Sequence, residues 1–126
     1  MDSMLTIRAL AEVFLLGGIG ALARFAVLVF AAQRFGAFPV GILAVNTLAA
    51  LIGSFLVAAA IPAEPLLAVG GGFVGSLGTL SSLCSEIIAM HKLGKHEEIV
   101  LFVVLSLATG IAATLIGLEA GEAYHA

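Results

Sequence analysis

The chain has 126 residues, of which 62% are hydrophobic and 10% charged, with a formal net charge of −3. A water-soluble domain of that balance would lack the polar residues to cover its surface, so the chain reads as an integral membrane protein. No basic stripe follows a phosphate backbone, which removes nucleic acid from the partners, and Cys84, the sole cysteine, leaves no intrachain disulfide.

Four spans fit this length at about 20 residues per membrane-crossing helix. The expected architecture is an all-α integral membrane domain over residues 1–126, with helices near 9–31, 41–60, 66–90 and 99–118. The first block reads as a retained helix and not a cleaved signal, because it is long and carries Arg24. An arginine deep in a span costs about 2.5–3.5 kcal/mol, so Arg24 needs a partner, a wet vestibule or a route to the interface. Gly17 and Ala21 give the same block a small face suited to close packing. Gln33-Arg34-Phe35-Gly36 and Pro39 close it.

The second block holds Asn46, whose carboxamide serves either as an interhelical bond or as a donor aimed into a pore. Pro62-Ala63-Glu64-Pro65 ends that block. The third is the longest and contains Gly70-Gly71-Gly72-Phe73-Val74-Gly75-Ser76-Leu77-Gly78-Thr79-Leu80-Ser81-Ser82. Hydrocarbon offers no partner to freed backbone groups, so a glycine- and hydroxyl-rich stretch at this depth predicts a broken helix that protein or a water-filled path covers. This stretch is the expected functional centre. Glu86 follows it as a buried or interfacial carboxylate.

His91, His96, Glu97 and Glu98 fall in the next loop, which reads more simply as a solvated surface turn than as a metal site. In the fourth block, Ser106, Thr109 and Thr114 have the ordinary option of bonding back to their own helix. Ser106 and Thr109 are three residues apart, so they also share a face that could carry a track of donors. Gly110, Thr114 and Gly117 read as a packing face. The glycine run lacks the Gly-Lys-Ser/Thr ending of a phosphate loop, and no nucleophile–base arrangement is apparent, so no enzyme is expected. If the helices alternate, Arg34, Lys92 and Lys95 share one side and Arg8 stands alone on the other. The positive-inside rule then places both termini outside the cell.

Three ordered motifs resemble the bacterial fluoride channel family called Fluc or CrcB. They are Gly17-x-x-Gly20-x-x-x-Arg24, Phe38-Pro39-x-Gly41-x-Leu43-x-Val45-Asn46, and Gly72-x-x-Gly75-x-x-Gly78-Thr79-x-Ser81-Ser82-x-x-x-Glu86. The resemblance implies an antiparallel dimer of four-helix subunits in the bacterial cell membrane, with two fluoride pores and passive export that confers fluoride resistance. It also implies a structural sodium ion at the dimer centre, held by backbone carbonyls that fall here at Gly75 and Gly78. Carried over residue by residue, the ion path takes Asn46, Thr79, Ser81, Ser82 and Arg24, together with Ser106 and Thr109.

The chain departs from the family pattern where two phenylalanines usually line the pore, for Leu80 and Leu83 stand there. Leucine has no ring quadrupole with a positive edge to meet an anion. Ile42 replaces a usual threonine and Ser76 a usual glycine. Some family members occur as two different subunits of fixed, opposite orientation. The leucines and the loop-charge bias together favour a subunit that works with a homologous partner, with the homodimer as the near alternative. Two readings from other classes stand beside it. One is a small dual-topology drug or cation exporter relying on Glu12, and the other a non-conducting structural subunit in which Asn46 and the hydroxyls only join helices.

Overall fold

The computed structural model describes residues 3–126. Helix α1 is Ser3–Phe35 and α2 is Val40–Ala58. The third span, Ala63–Lys92, is divided into α3, residues 63–77, and α4, Leu80–Lys92. Helix α5 is His96–His125. All four spans are long and apolar enough to cross a bilayer, and no strand occurs among the described residues. The expected all-α membrane fold is therefore what forms.

The helices run further than the apolar blocks. α1 begins before residue 9 and α5 continues past residue 118, because intrahelical hydrogen bonding does not stop where side chains become polar. Arg8 and Glu12 then pair one turn apart on α1, with Nε donating to Oε1 at 2.8 Å.

Most of α3 is wound as a π-helix, Leu66–Val74, which spans the glycine triplet. Runs of this kind concentrate at functional sites because they widen the helix and displace its ladder. Missing side chains let α1 and α3 touch backbone to backbone. A Cβ on Gly72 would lie 2.8 Å from the Val13 carbonyl oxygen, and one on Gly20 would collide with the Phe73 carbonyl and the Ser76 hydroxyl.

A second seam joins α2 to α5. Gly117 lies against the Leu51 carbonyl and the Ser54 hydroxyl, and Gly121 against the Phe55 carbonyl. Ser54 Oγ already donates to the carbonyls of Ala50 and Leu51, so it is fixed in place. Within lipid, helices gain little from hydrophobic association, and close approach of this kind supplies van der Waals contact instead. Gly110, expected in the same packing face, has nothing within 4 Å of its Cβ position and lies on an open groove with Ser106 and Thr114. The two packing glycines of α5 sit one turn apart on another face.

One end of the bundle holds the apolar core: Ile42, Met90 and Phe102 are buried together, with Leu28, Phe38, Leu83 and Ile99 against them. Phe38 meets Phe102 edge to face at 6.1 Å between ring centres. At the other end Phe55 contacts Tyr124 at 5.8 Å. This arrangement puts Arg34, Lys92 and Lys95 at the core end of the molecule, as the alternation of spans requires.

The seams make a direct prediction. Gly117→Ala should cost about 1–3 kcal/mol through overpacking against α2. Gly18→Ala, where a Cβ meets nothing within 4 Å, should cost nothing measurable. Thermal unfolding in detergent distinguishes the two.

Candidate functional site at the broken third span

The break falls at Gly78–Thr79, where both residues are extended, with φ/ψ of −73/154° and −151/115°. Ending α3 at Leu77 and starting α4 at Leu80 frees backbone donors and acceptors in the middle of a membrane domain. Asn46 of α2 answers this directly. Its Oδ1 accepts from the Thr79 N–H at 2.6 Å, and its Nδ2 donates to the Thr79 carbonyl at 3.1 Å. One carboxamide thus pairs both backbone groups of one residue, as a neighbouring strand would. Thr79 is 7% exposed, so leaving those groups unpaired would be costly.

Thr79 also caps α4. Its Oγ1 accepts from the Ser82 N–H at 3.1 Å, the usual geometry of a threonine N-cap. The same hydroxyl lies 3.2 Å from Ser81 Oγ and 3.1 Å from Ser82 Oγ. Three hydroxyls therefore cluster at the positive end of the α4 dipole. Ser81 and Ser82 line a half-open vestibule of about 480 Å³ together with Ser85 and Glu86 of α4; its other wall is Leu28 and Ala32 of α1 and the stretch around Pro39, Gly41 and Ile42. It sits at the same end as Arg34, Lys92 and Lys95. Oriented donors at a helix N-terminus, opening on a vestibule with one hydroxyl-lined wall inside an apolar bundle, are suited to holding a small anion, while the Glu86 carboxylate farther along that wall repels one.

The opposite lip of the break has acceptor character. With the Thr79 N–H committed to Asn46, the Gly75 carbonyl loses its normal helical donor. The carbonyls near the end of α3 are the negative end of that helix, and such oxygens suit a hard cation.

The family model described as "CrcB-like protein, Camphor Resistance (CrcB)" matches residues 11–118. The chain belongs to the CrcB family. It is 37% identical over 120 residues to "Fluoride-specific ion channel FluC 2" of Mycobacterium bovis, covering 92% of this chain and 93% of that protein. It is 34% identical over 124 residues to "Fluoride-specific ion channel FluC" of Citrifermentans bemidjiense, covering 90% and 97%. With "Fluoride-specific ion channel FluC 1" of Geobacillus kaustophilus the identity is 30% over 106 residues, covering 84% and 91%. Family and spans together make this a multi-pass bacterial membrane protein.

The structure sorts the residues that family resemblance singles out. Asn46, Thr79, Ser81 and Ser82 come together at the break, with Gly78 packed 3.1 Å by its Cβ position from Ala49 beside them. Leu83 turns inward onto the core formed by Ile42, Met90 and Phe102, whereas Leu80 is 75% exposed and points away from its own chain. The two leucines are therefore not equivalent. Ser106 and Thr109 make no hydrogen bond to the residues at the break, and both donate to their own helix, Ser106 to Phe102 O at 2.7 Å and Thr109 to Leu105 O at 2.8 Å. Thr109 additionally accepts from Thr47 Oγ1 at 2.9 Å, which ties α5 to α2. Both hydroxyls thus take the ordinary option of a helical serine or threonine and bond back to their own helix. Arg24 is half-buried and makes no hydrogen bond or ion pair among the described residues. Glu12, by contrast, is held by Arg8.

Ser85 is a vestibule residue that the sequence did not single out. Its signal was available, since it stands one helical turn beyond Ser81 and shares that face.

Because Asn46 closes two backbone groups at once, Asn46→Ala should lower stability by about 1–3 kcal/mol. The Thr79 amide should lose its protection in hydrogen exchange, while amides within α5 keep theirs. Unchanged exchange at Thr79 would contradict the clamp.

Proposed function

We propose that this chain is a subunit of a fluoride-specific channel through which fluoride leaves the cytoplasm passively, giving fluoride resistance. The observation that carries the reading is the hydroxyl cluster of Thr79, Ser81 and Ser82 at the α4 N-terminus, opening on a vestibule at the core end. The relatives' names supply the identity of the anion.

Fluoride is small and strongly hydrated, so a path must offer close donors in place of water and must be too narrow for larger halides. Ser82 offers its hydroxyl proton, Ser81 can swing its own from Thr79 Oγ1 toward an anion, the α4 terminus adds its partial positive charge, and Asn46 keeps a second Nδ2 hydrogen beyond the one given to the Thr79 carbonyl. Arg24, without a partner among the described residues, adds fixed positive charge on α1, one turn from the Gly20 contact with Ser76. Leu83, packed on the core, would back the apolar side of the path from within the subunit. Leu80 would do so from outside it.

The outward-facing Leu80 fits a dimer, in which it would stand in a wall shared with a second subunit. In an antiparallel arrangement the carbonyls near Gly75 and Gly78 of two subunits would face one another and suit a structural sodium ion, for which hard backbone oxygens are the fitting ligands. The basic residues Arg34, Lys92 and Lys95 at one end favour a single insertion direction, with that end cytoplasmic. A fixed orientation and leucines at positions 80 and 83 together favour a homologous, oppositely inserted partner over a second copy of this chain. The pairing of Glu12 with Arg8 near the start of α1 speaks against the exporter reading.

Fluoride efflux from liposomes tests the assignment, with chloride efflux as the control. Co-reconstituted with a phenylalanine-bearing homologue, the chain should give fluoride efflux while chloride stays inside. Alone and folded, it should give no fluoride efflux above that of empty liposomes. Flux from the chain alone would replace the paired assembly by a homodimer; no selective fluoride flux in either preparation would overturn the channel assignment.

A further inference from the structure

The turn between α4 and α5 carries a feature that plays no part in the ion path. His91, in the last turn of α4, and His96, the first residue of α5, bring their rings to 5.3 Å between centres, tilted by 67°. Both residues are exposed. The backbone beneath them is fixed: Gly94 adopts φ +71°, the Lys95 N–H donates to Met90 O at 3.0 Å, and the Gly94 N–H to His91 O at 3.0 Å. These two bonds close a Schellman turn, so the spacing of the two histidines is set by the fold and not by a flexible loop.

We propose that His91 and His96 form a two-histidine clasp for a divalent transition ion of the copper or zinc class at the membrane surface. Metal–nitrogen bonds of about 2.0–2.1 Å put each imidazole centre about 3.2 Å from the ion, so two rings at a tetrahedral angle have centres about 5.2 Å apart. The rings here are already at about that separation, and in the clasp one nitrogen of each would point at a common centre. Neutral imidazole is the preferred ligand for this class of ion. Lys95, the cation between the two histidines in sequence, is held by Glu98 at 3.2 Å, and Glu97 follows His96 directly. Among the described residues no three His, Cys, Asp or Glu side chains group together, so the protein supplies two ligands and water completes the shell. The ion would pin the end of α4 to the start of α5.

The test uses the full chain in detergent near neutral pH, purified without a histidine tag, with Cu²⁺ as the probe. The third histidine, His125, lies at the far end of α5 and serves as a control. Wild type and His125→Ala should bind one Cu²⁺ per chain at this site, with nitrogen coupling in the electron spin resonance spectrum. His91→Ala and His96→Ala should each bind roughly tenfold or more weakly while keeping the wild-type circular dichroism. The proposal is overturned if the double variant His91→Ala/His96→Ala binds Cu²⁺ as wild type does, or if binding is lost with His125→Ala instead.

Discussion

A backbone N–H and C=O freed inside a membrane domain must find partners within the protein, and at Thr79 both find them on a single side chain, Asn46. The rest of the site depends on this. Without the clamp, the chain between Leu77 and Leu80 would relax toward a continuous helix, in which Thr79 could neither cap α4 nor gather the hydroxyls of Ser81 and Ser82. Asn46 is thus a positioning residue before it is anything else. Its loss would disturb the helix break as well as any flux, so the serines, whose hydroxyls hold no helix to another, separate a conducting role from a structural one more cleanly.

Breaking one helix into two creates a pair of opposite termini in one place. The end of α3 presents carbonyls and the start of α4 presents donors, so the same interruption offers acceptor character on one side and donor character on the other. A structural cation and a permeating anion are compatible with one break for this reason. The surrounding seams are built from glycine because that proximity needs backbone contact: Gly20 and Gly72 let α1 lie on α3, while Gly117 and Gly121 let α5 lie on α2. The π-helical winding of Leu66–Val74 belongs to the same design, since it runs through the triplet that meets α1.

Much of this was legible in the amino-acid sequence, and for physical reasons. Four apolar blocks announce four spans because lipid permits little else, and the glycine- and hydroxyl-rich window announces an interruption. The peptide at which the helix breaks was not legible, because Thr79 is chosen by a residue 33 positions away in another helix. The fate of Ser106 and Thr109 was half legible: back-bonding is the ordinary habit of helical hydroxyls, but the bridge from Thr47 to Thr109 depends on how α2 and α5 meet. Gly110 and Gly117 look alike in sequence and differ only because one faces α2 and the other a groove. Leu80 and Leu83, one turn apart, part company in the same way.

The central claim is that the anion path runs along the α4 N-terminus. The most direct measurement is fluoride efflux from the conducting assembly carrying Ser81→Ala and Ser82→Ala together, compared with one carrying Thr109→Ala. The serine variant should lose roughly tenfold or more of its fluoride flux with its thermal stability kept, a loss of about 1.4 kcal/mol in transition-state terms, while the Thr109 variant conducts as before. Undiminished flux in a folded serine variant would contradict the path assigned to α4.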